Sequence, residues 1–263
     1  MNILDTIIAY KKTEVKKRKA ETSVADLEKS KFFVRNTLSL KQSLQDKAGT
    51  GIIAEFKRRS PSKDIINNDA DAGIVTSGYA KNGASGLSVL TDSKFFGGSS
   101  GDLTKARINT IPILRKDFII DEYQLIESRS IGADVILLIA DVLSQSVVKR
   151  LASFAKNIGL EVLLEIHSEK EIDHITDAVD MVGINNRDLK TFEVDINTSL
   201  QLIYKIPANK IMISESGISD TKTIVTLRKA GFKGFLIGET FMKEPDPVKA
   251  FTDFTLGLKP VQK

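Results

Sequence analysis

From about residue 50 onward, short apolar runs recur along the chain, each followed by a stretch in which apolar residues return at helical spacing. The runs are Gly51 to Phe56, Gly86 to Thr91, Pro112 to Arg115, Asp134 to Ile139, Glu161 to Ile166, Met181 to Ile184, Ile211 to Ser214 and Gly234 to Ile237. Most are apolar throughout instead of alternating, as parallel strands covered on both faces must be. Helical spacing follows in Ala72 to Lys81, Glu122 to Ser130, Gln145 to Asn157, Glu169 to Asp177, Asn197 to Tyr204, Asp220 to Lys229 and Pro247 to Phe254. Several of these stretches stop at a glycine, as in Lys229-Ala230-Gly231, where a left-handed residue can close the helix. Eight strand–helix units in succession predict an α/β fold closed into a (β/α)8 TIM barrel, because open doubly wound sheets usually stop at five or six strands.

Residues 1–49 precede the eight units and read as a helical extension that caps or flanks the barrel, with helices over Ile3 to Lys19 and about Leu40 to Lys47. Val24 to Leu38 shows little periodicity, and no element is assigned there. The expected organisation is one barrel domain over residues 1–263, an ordinary length for this architecture.

Composition narrows the chemistry. The chain is 41% hydrophobic and 27% charged, enough for a sizeable core. Cysteine is absent, which excludes disulfides, thiolate metal sites and cysteine nucleophiles. The amino terminus runs into lysine-rich sequence rather than a signal peptide, and the longest apolar run, Val135 to Ala140, is too short to span a membrane. A cytoplasmic protein without membrane contact is expected. Net charge is +4, concentrated in Lys11-Lys12 and Lys16 to Lys19. These lysines alternate at helical spacing with Ile7, Ile8 and Val15, so they read as the solvated face of an amphipathic helix, not a nucleic-acid stripe. A mild positive balance also suits a small anionic substrate.

Barrel chemistry collects where strands end, and the strand ends here carry charge. The first run ends Glu55-Phe56-Lys57, the third Arg115-Lys116-Asp117, the fifth Glu165-Ile166-His167, the sixth Asn185-Asn186-Arg187, the seventh Glu215-Ser216-Gly217 and the eighth Gly238-Glu239. Glu55 and Lys57 are two apart and project to the same side of a strand. Ionised groups inside a barrel cost several kcal/mol unless paired, so these residues must satisfy one another or a charged ligand. A closed ring of salt bridges would fill the barrel without function, but purely structural interiors favour Val, Ile and Leu. Carboxylates crowded against lysines can supply a general acid and a general base near neutral pH, and Lys116 with Glu165 is the expected pair.

Ser216-Gly217 and Gly238 stand where barrels bind phosphate through backbone N–H groups, with Glu239 to Met242 as the short helix that follows. His167 and His174 are the only histidines, and no metal site is expected from them. Gly97 to Gly101 lacks the P-loop lysine and reads as a flexible connection.

At these strand ends the sequence resembles the indole-3-glycerol-phosphate synthases. The matching segments are Ile53 to Ser62, Leu87 to Asp92 with Phe95 to Ser99, Leu114 to Phe118, Glu165 to His167, Gly183 to Leu189, Ser214 to Ile218 and Ile237 to Glu239. The opening Ile3-Leu4-Asp5 and its lysine-rich helix are similar to the family's amino-terminal extension. The resemblance implies a decarboxylating lyase of tryptophan biosynthesis that needs no cofactor. Its substrate would be 1-(2-carboxyphenylamino)-1-deoxyribulose 5-phosphate, converted to indole-3-glycerol phosphate, carbon dioxide and water. Carried over by motif, Lys116 would be the general acid of ring closure and Glu165 would exchange the proton of dehydration. Lys57 would hold the substrate carboxylate or act in dehydration. Glu55 and Glu215 would stabilise the cationic intermediate, with Asn185 and Arg187 orienting them and the substrate. Ser60, Gly217, Gly238 and the Glu239 backbone would bind phosphate, Ser216 would touch the substrate, and Phe95 and Phe118 would wall its aromatic ring. His167 stands where some relatives carry Asn. An isomerase-type phosphate-binding barrel that relies on a cysteine–aspartate pair fits poorly with a chain lacking cysteine. The other alternative is a non-catalytic barrel that binds a phosphorylated metabolite.

Overall fold

A computed structural model describes residues 3–258 apart from Ser62 and Lys190. Ser62, the last residue of the first family segment, therefore lies outside the described residues, as do both ends of the expected 1–263 domain.

Eight parallel strands close into a ring: β1 (Ile52–Phe56), β2 (Gly86–Leu90), β3 (Ile113–Lys116), β4 (Val135–Ile139), β5 (Glu161–Ile166), β6 (Met181–Asn185), β7 (Ile211–Glu215) and β8 (Gly234–Ile237). Each pairs with its sequence neighbours, and β1 closes on β8 through Ile52 to Ala54 opposite Phe235 to Ile237. The strands are buried along nearly their whole length, which accounts for their continuous apolar runs. Strand alternation divides the core in two. Ile53, Leu114, Leu137, Leu163, Ile213 and Leu236 pack inside the ring. Their neighbours, such as Ile52, Ala54, Ile136 and Leu164, pack outward against the helices.

The amino-terminal extension uses both ends of the barrel. Helix α1 (Ile3–Glu21) brings Leu4 and Ile7 onto the carboxyl-terminal mouth, in one cluster with Phe118, Leu137 and Ile139. After α2 (Val24–Glu28), helix α3 (Leu40–Gln45) seats Leu40 and Leu44 in the same inner core from the opposite end. The carboxylate of Glu161, at the start of β5, accepts hydrogen bonds from the Ser39 hydroxyl and from the Leu40 and Lys41 amides, fixing α3 there.

Four local expectations need correction. Lys11 is not on a solvated face: it is 1% exposed, because α1 turns it onto the carboxylates of Asp92 and Asp117. Val24 to Leu38 contains α2, a single turn held by its Ser23 cap and too short to display a period. Glu169 to Asp177 is not an α-helix; its three-residue bonds, such as Ile175 N–H to Ile172 carbonyl at 2.9 Å, make a 3-10 segment over Glu169–His174. Gly97 to Gly101 is built, not a loose connection. The Asp92 side chain caps α5 (Ser93–Phe96), Gly97 closes it at φ 63°, and Ser99 caps α6 (Ser100–Ala106).

The outer ring continues with α4 (Ala72–Lys81) after β1, α7 (Glu122–Ile131) after β3 and α8 (Gln145–Asn157) after β4. It closes with α9 (Asn197–Leu202) after β6, α10 (Thr221–Ala230) after β7, and α11 (Glu239–Met242) and α12 (Pro247–Leu256) after β8. Among the described residues, no helix is long and apolar enough to cross a membrane.

Candidate active site

The carboxyl-terminal mouth encloses a cavity of about 410 Å³. Its floor is set by alternation: Glu55, Lys116, Glu165 and Glu215 each stand two residues beyond an inward apolar residue, namely Ile53, Leu114, Leu163 and Ile213. The apolar layer closes the barrel, and the charged layer above it faces the cavity.

Lys116 is the centre of that layer. Its ammonium donates to Glu165 Oε2 and to Glu215 Oε2, each at 2.9 Å. Lys57 pairs with Glu55 Oε1 at 2.8 Å. Asn185 donates from Nδ2 to Glu165 Oε1 at 3.1 Å, and its Oδ1 accepts the Arg187 amide at 3.0 Å, so β6 orients both neighbours.

The two carboxylates sharing Lys116 are not equivalent. Burial raises both, and a single ammonium cannot fully compensate two buried carboxylates. For Glu165 the Lys116 charge, His167 and the Asn185 hydrogen bond outweigh burial and hold its pKa below the ordinary value. For Glu215 burial dominates, the Glu165 charge adds to it, and the pKa is raised. Glu215 Oε1 has no hydrogen-bond partner among the described residues. Burial alone would lower Lys116, but Glu165, Glu215 and Glu55 overcome it and hold the ammonium above its ordinary value.

Two glycines make room for these carboxylates. A Cβ at Gly183 of β6 would lie 2.0 Å from Glu215 Oε1, and one at Gly238 would lie 2.5 Å from Glu55 Oε1. Gly238 thus makes room for the carboxylate layer and also lines the cavity.

The opposite end of the cavity is built of backbone. Ser216 and Gly217 follow β7 with φ of 66° and 75°. For Ser216 this is a strained conformation, costing on the order of 1–3 kcal/mol. Asn186 holds the turn, its Nδ2 donating to the Glu215 and Ser216 carbonyls at 2.9 and 3.1 Å. Ser60, Gly217, Gly238 and Glu239 line this end together, with the first turn of α11 opening onto it. Arg187 approaches Glu239 at 3.5 Å, and Lys243 also borders the space. Asn186 is the brace of this turn, a role that the motif Asn185-Asn186-Arg187 does not reveal by its spacing.

The aromatic wall differs from expectation at one position. Phe118 lines the cavity, but its partner there is Phe96, with ring centroids 6.1 Å apart. Phe95 points to Tyr10 instead, edge-on at 5.8 Å. The cap on α5 decides this, since Asp92 accepts the Phe95 amide at 2.7 Å and fixes which face of the turn looks inward. Ile3, Leu4 and Ile7 of α1 complete the wall.

His167 stands beside the layer, with Nε2 3.4 Å from Glu165 and Nδ1 3.7 Å from Glu171. Burial opposes its protonation, but Glu171 and Glu165 prevail and raise its pKa.

A closed parallel barrel with paired lysines and carboxylates on its floor, a backbone cradle at one end and an aromatic wall at the other defines an acid–base enzyme of the (β/α)8 class. The sequence comparisons give the family within that class. A profile of the indole-3-glycerol phosphate synthases matches residues 4–254. The chain is 48% identical over 262 residues to indole-3-glycerol phosphate synthase of Bacteroides thetaiotaomicron, covering 99% of each. It is 41% identical to that of Salinibacter ruber, covering 96% of this chain and 94% of the relative. The chain belongs to the indole-3-glycerol phosphate synthase family. A solved structure of thiamine phosphate pyrophosphorylase from Pyrococcus furiosus superimposes with a TM-score of 0.60 at 13% identity, covering 86% of this chain and all of that one, a likeness of fold alone.

Proposed function

We propose that this chain closes the indole ring of indole-3-glycerol phosphate, taking 1-(2-carboxyphenylamino)-1-deoxyribulose 5-phosphate and releasing carbon dioxide and water. The observation that carries the reading is the Lys116 ammonium, held 2.9 Å from two carboxylates on the floor of a cavity with one apolar and one backbone-lined end.

In this reading the substrate phosphate lies against Ser60, Gly217, Gly238 and the Glu239 backbone, and Ser216 and Arg187 border the chain between phosphate and ring. The aromatic ring lies against Phe118 and Phe96. Lys116 is charged through neutral pH and protonates the carbonyl oxygen as the aromatic carbon attacks, exchanging a carboxylate contact for the developing hydroxyl. Lys57 holds the substrate carboxylate until it leaves as carbon dioxide. Glu55 and Glu215 stabilise the positive charge on the ring intermediate, which is worth most in a water-poor site. Glu165, oriented by Asn185, exchanges the proton needed for dehydration. No cofactor enters any step, and neither nucleic acid nor a membrane is a partner. A cytoplasmic setting suits a reaction on a phosphorylated metabolite.

The test is fluorescence of the indole product together with carbon dioxide release. Wild type is expected to produce both in equal amounts. Glu165→Gln is expected to lower product formation by roughly 10²–10⁴-fold, the usual weight of a proton-transfer group. An inactive, folded wild type would overturn the reading.

A further inference from the structure

Lys11 is a buried ammonium on a helix outside the barrel, and the chemistry above does not use it. Its Nζ lies 2.6 Å from Glu14 Oε2, 2.8 Å from Asp92 Oδ2 and 2.9 Å from Asp117 Oδ1. Asp92 and Asp117 belong to different loops, the first after β2 and the second after β3. Each is already committed to the site. Asp92 caps α5, the turn that presents Phe96, and Asp117 directly follows Lys116 and accepts the Phe118 amide at 2.8 Å. On α1 itself, Leu4 and Ile7 stand seven and four residues before Lys11 and therefore share its face. They reach over the mouth and line the cavity, whereas Lys11 stands behind the wall.

The carboxyl-terminal half of α1 is tied to α7 and the loop before it, by Arg18 to Glu127 at 3.0 Å and Lys19 to Asp121 at 2.8 Å, whereas Leu4 and Ile7 at the mouth make only non-directional apolar contacts. One ammonium bridging two carboxylates from separate loops fixes the register of this mouth-facing half, and so fixes Leu4 and Ile7 relative to Phe96 and Phe118. We propose that Lys11 is a positioning residue for the reaction: it bolts α1 to the loops after β2 and β3, and thereby holds the wall against the aromatic half of the substrate. This rests on the function proposed above for which end of the cavity takes the ring. Because Lys11 acts only on that end, its loss weakens recognition of the ring and leaves phosphate recognition intact.

The experiment compares wild type, Lys11→Met and Lys11→Arg by kcat and KM, and by direct calorimetric titration with two fragments, 2-aminobenzoate and inorganic phosphate. For Lys11→Met, KM and the 2-aminobenzoate Kd are expected to rise about tenfold, the phosphate Kd to stay at the wild-type value, and kcat at saturation to change by less than about twofold. Lys11→Arg, which keeps the charge, is expected to recover part of the lost affinity. Should Lys11→Met fail to fold, Asp92→Asn decides, since the amide oxygen keeps the α5 cap while the ion pair is lost; it is expected to give the same selective loss. Unchanged 2-aminobenzoate binding in a folded variant overturns the proposal. So does equal weakening of both fragments, which would mark general loss of structure. The fragment titrations do not depend on turnover, so a wild type without activity would refute the proposed reaction and still leave the role of Lys11 to be decided by binding.

Discussion

Arg115 and Lys116 are consecutive residues of β3 that both end among buried carboxylates, yet strand alternation sends the first out of the barrel and the second into it. Outside, Arg115 contacts Asp117 at 3.0 Å and Glu127 at 2.6 Å, and donates further to Thr91, Ser128 and the Gln124 carbonyl. Both Asp117 oxygens are engaged, one by Lys11 and the Phe118 amide, the other by Arg115 and the Thr91 hydroxyl. Inside, Lys116 also bridges two carboxylates, but one oxygen of Glu215 has no partner among the described residues and the cluster faces a cavity. The cost of desolvation is common to both clusters. What separates them is setting: Asp117 has both oxygens bonded where α1, β3 and α7 meet, whereas Lys116, Glu165 and Glu215 line the cavity.

The contrast can be broken most severely at Arg115. Arg115→Met removes the cation shared by Asp117 and Glu127, leaving Lys11 alone on the first and Arg18 alone on the second, and is expected to cost roughly 3 kcal/mol of stability, a fall in Tm on the order of 10 °C by calorimetry. A Tm within a degree or two of wild type would show the outer network to be dispensable. Gly183→Ala tests the inner cluster without touching a charge. The new methyl would occupy the place of Glu215 Oε1, and a displacement of about 1 Å is expected to lower kcat about 10²-fold, with Tm falling far less than in Arg115→Met. Unaltered turnover would mean that the position of Glu215 does not matter.

The smallest effect is on pH dependence, and its sign differs between the clusters. Glu215 is pushed up to about 7 by burial, from an ordinary 4.5. Its contribution to stability is present below 4.5 and is lost as pH rises toward about 7. Burial also works to raise Asp117, but Arg115 and Lys11 outweigh it and hold its pKa far below the ordinary value. Its contribution is present above the ordinary carboxylate range and is lost as pH falls below it. Tm measured against pH should therefore lose its decline between 4.5 and 7 in Glu215→Gln, and its acid sensitivity in Asp117→Asn. Curves that change the other way round would exchange the roles of the two clusters.

Much of this arrangement was legible before any coordinates. Parallel strands buried on both faces leave continuous apolar runs, so all eight could be placed, and Glu55 and Lys57 announced a shared side by their spacing. The charged strand ends likewise pointed to the mouth. The outer network was only partly legible: Lys11 falls on the stripe of Leu4, Ile7 and Val15, unlike Lys12 and Lys16, but the carboxylates it meets depend on where α1 docks. The exchange of Phe95 for Phe96 depends on one cap, and the space Gly183 leaves for Glu215 depends on the register of β6 against β7. Each is a tertiary fact with no local period to betray it.

The most direct test is kcat of Lys116→Met at saturating substrate, followed by indole fluorescence on protein whose Tm has been measured. The expected result is a fall of roughly 10²–10⁴-fold with a Tm loss well below that of Arg115→Met. Turnover close to wild type in the folded variant would contradict the assignment of proton chemistry to the inner cluster.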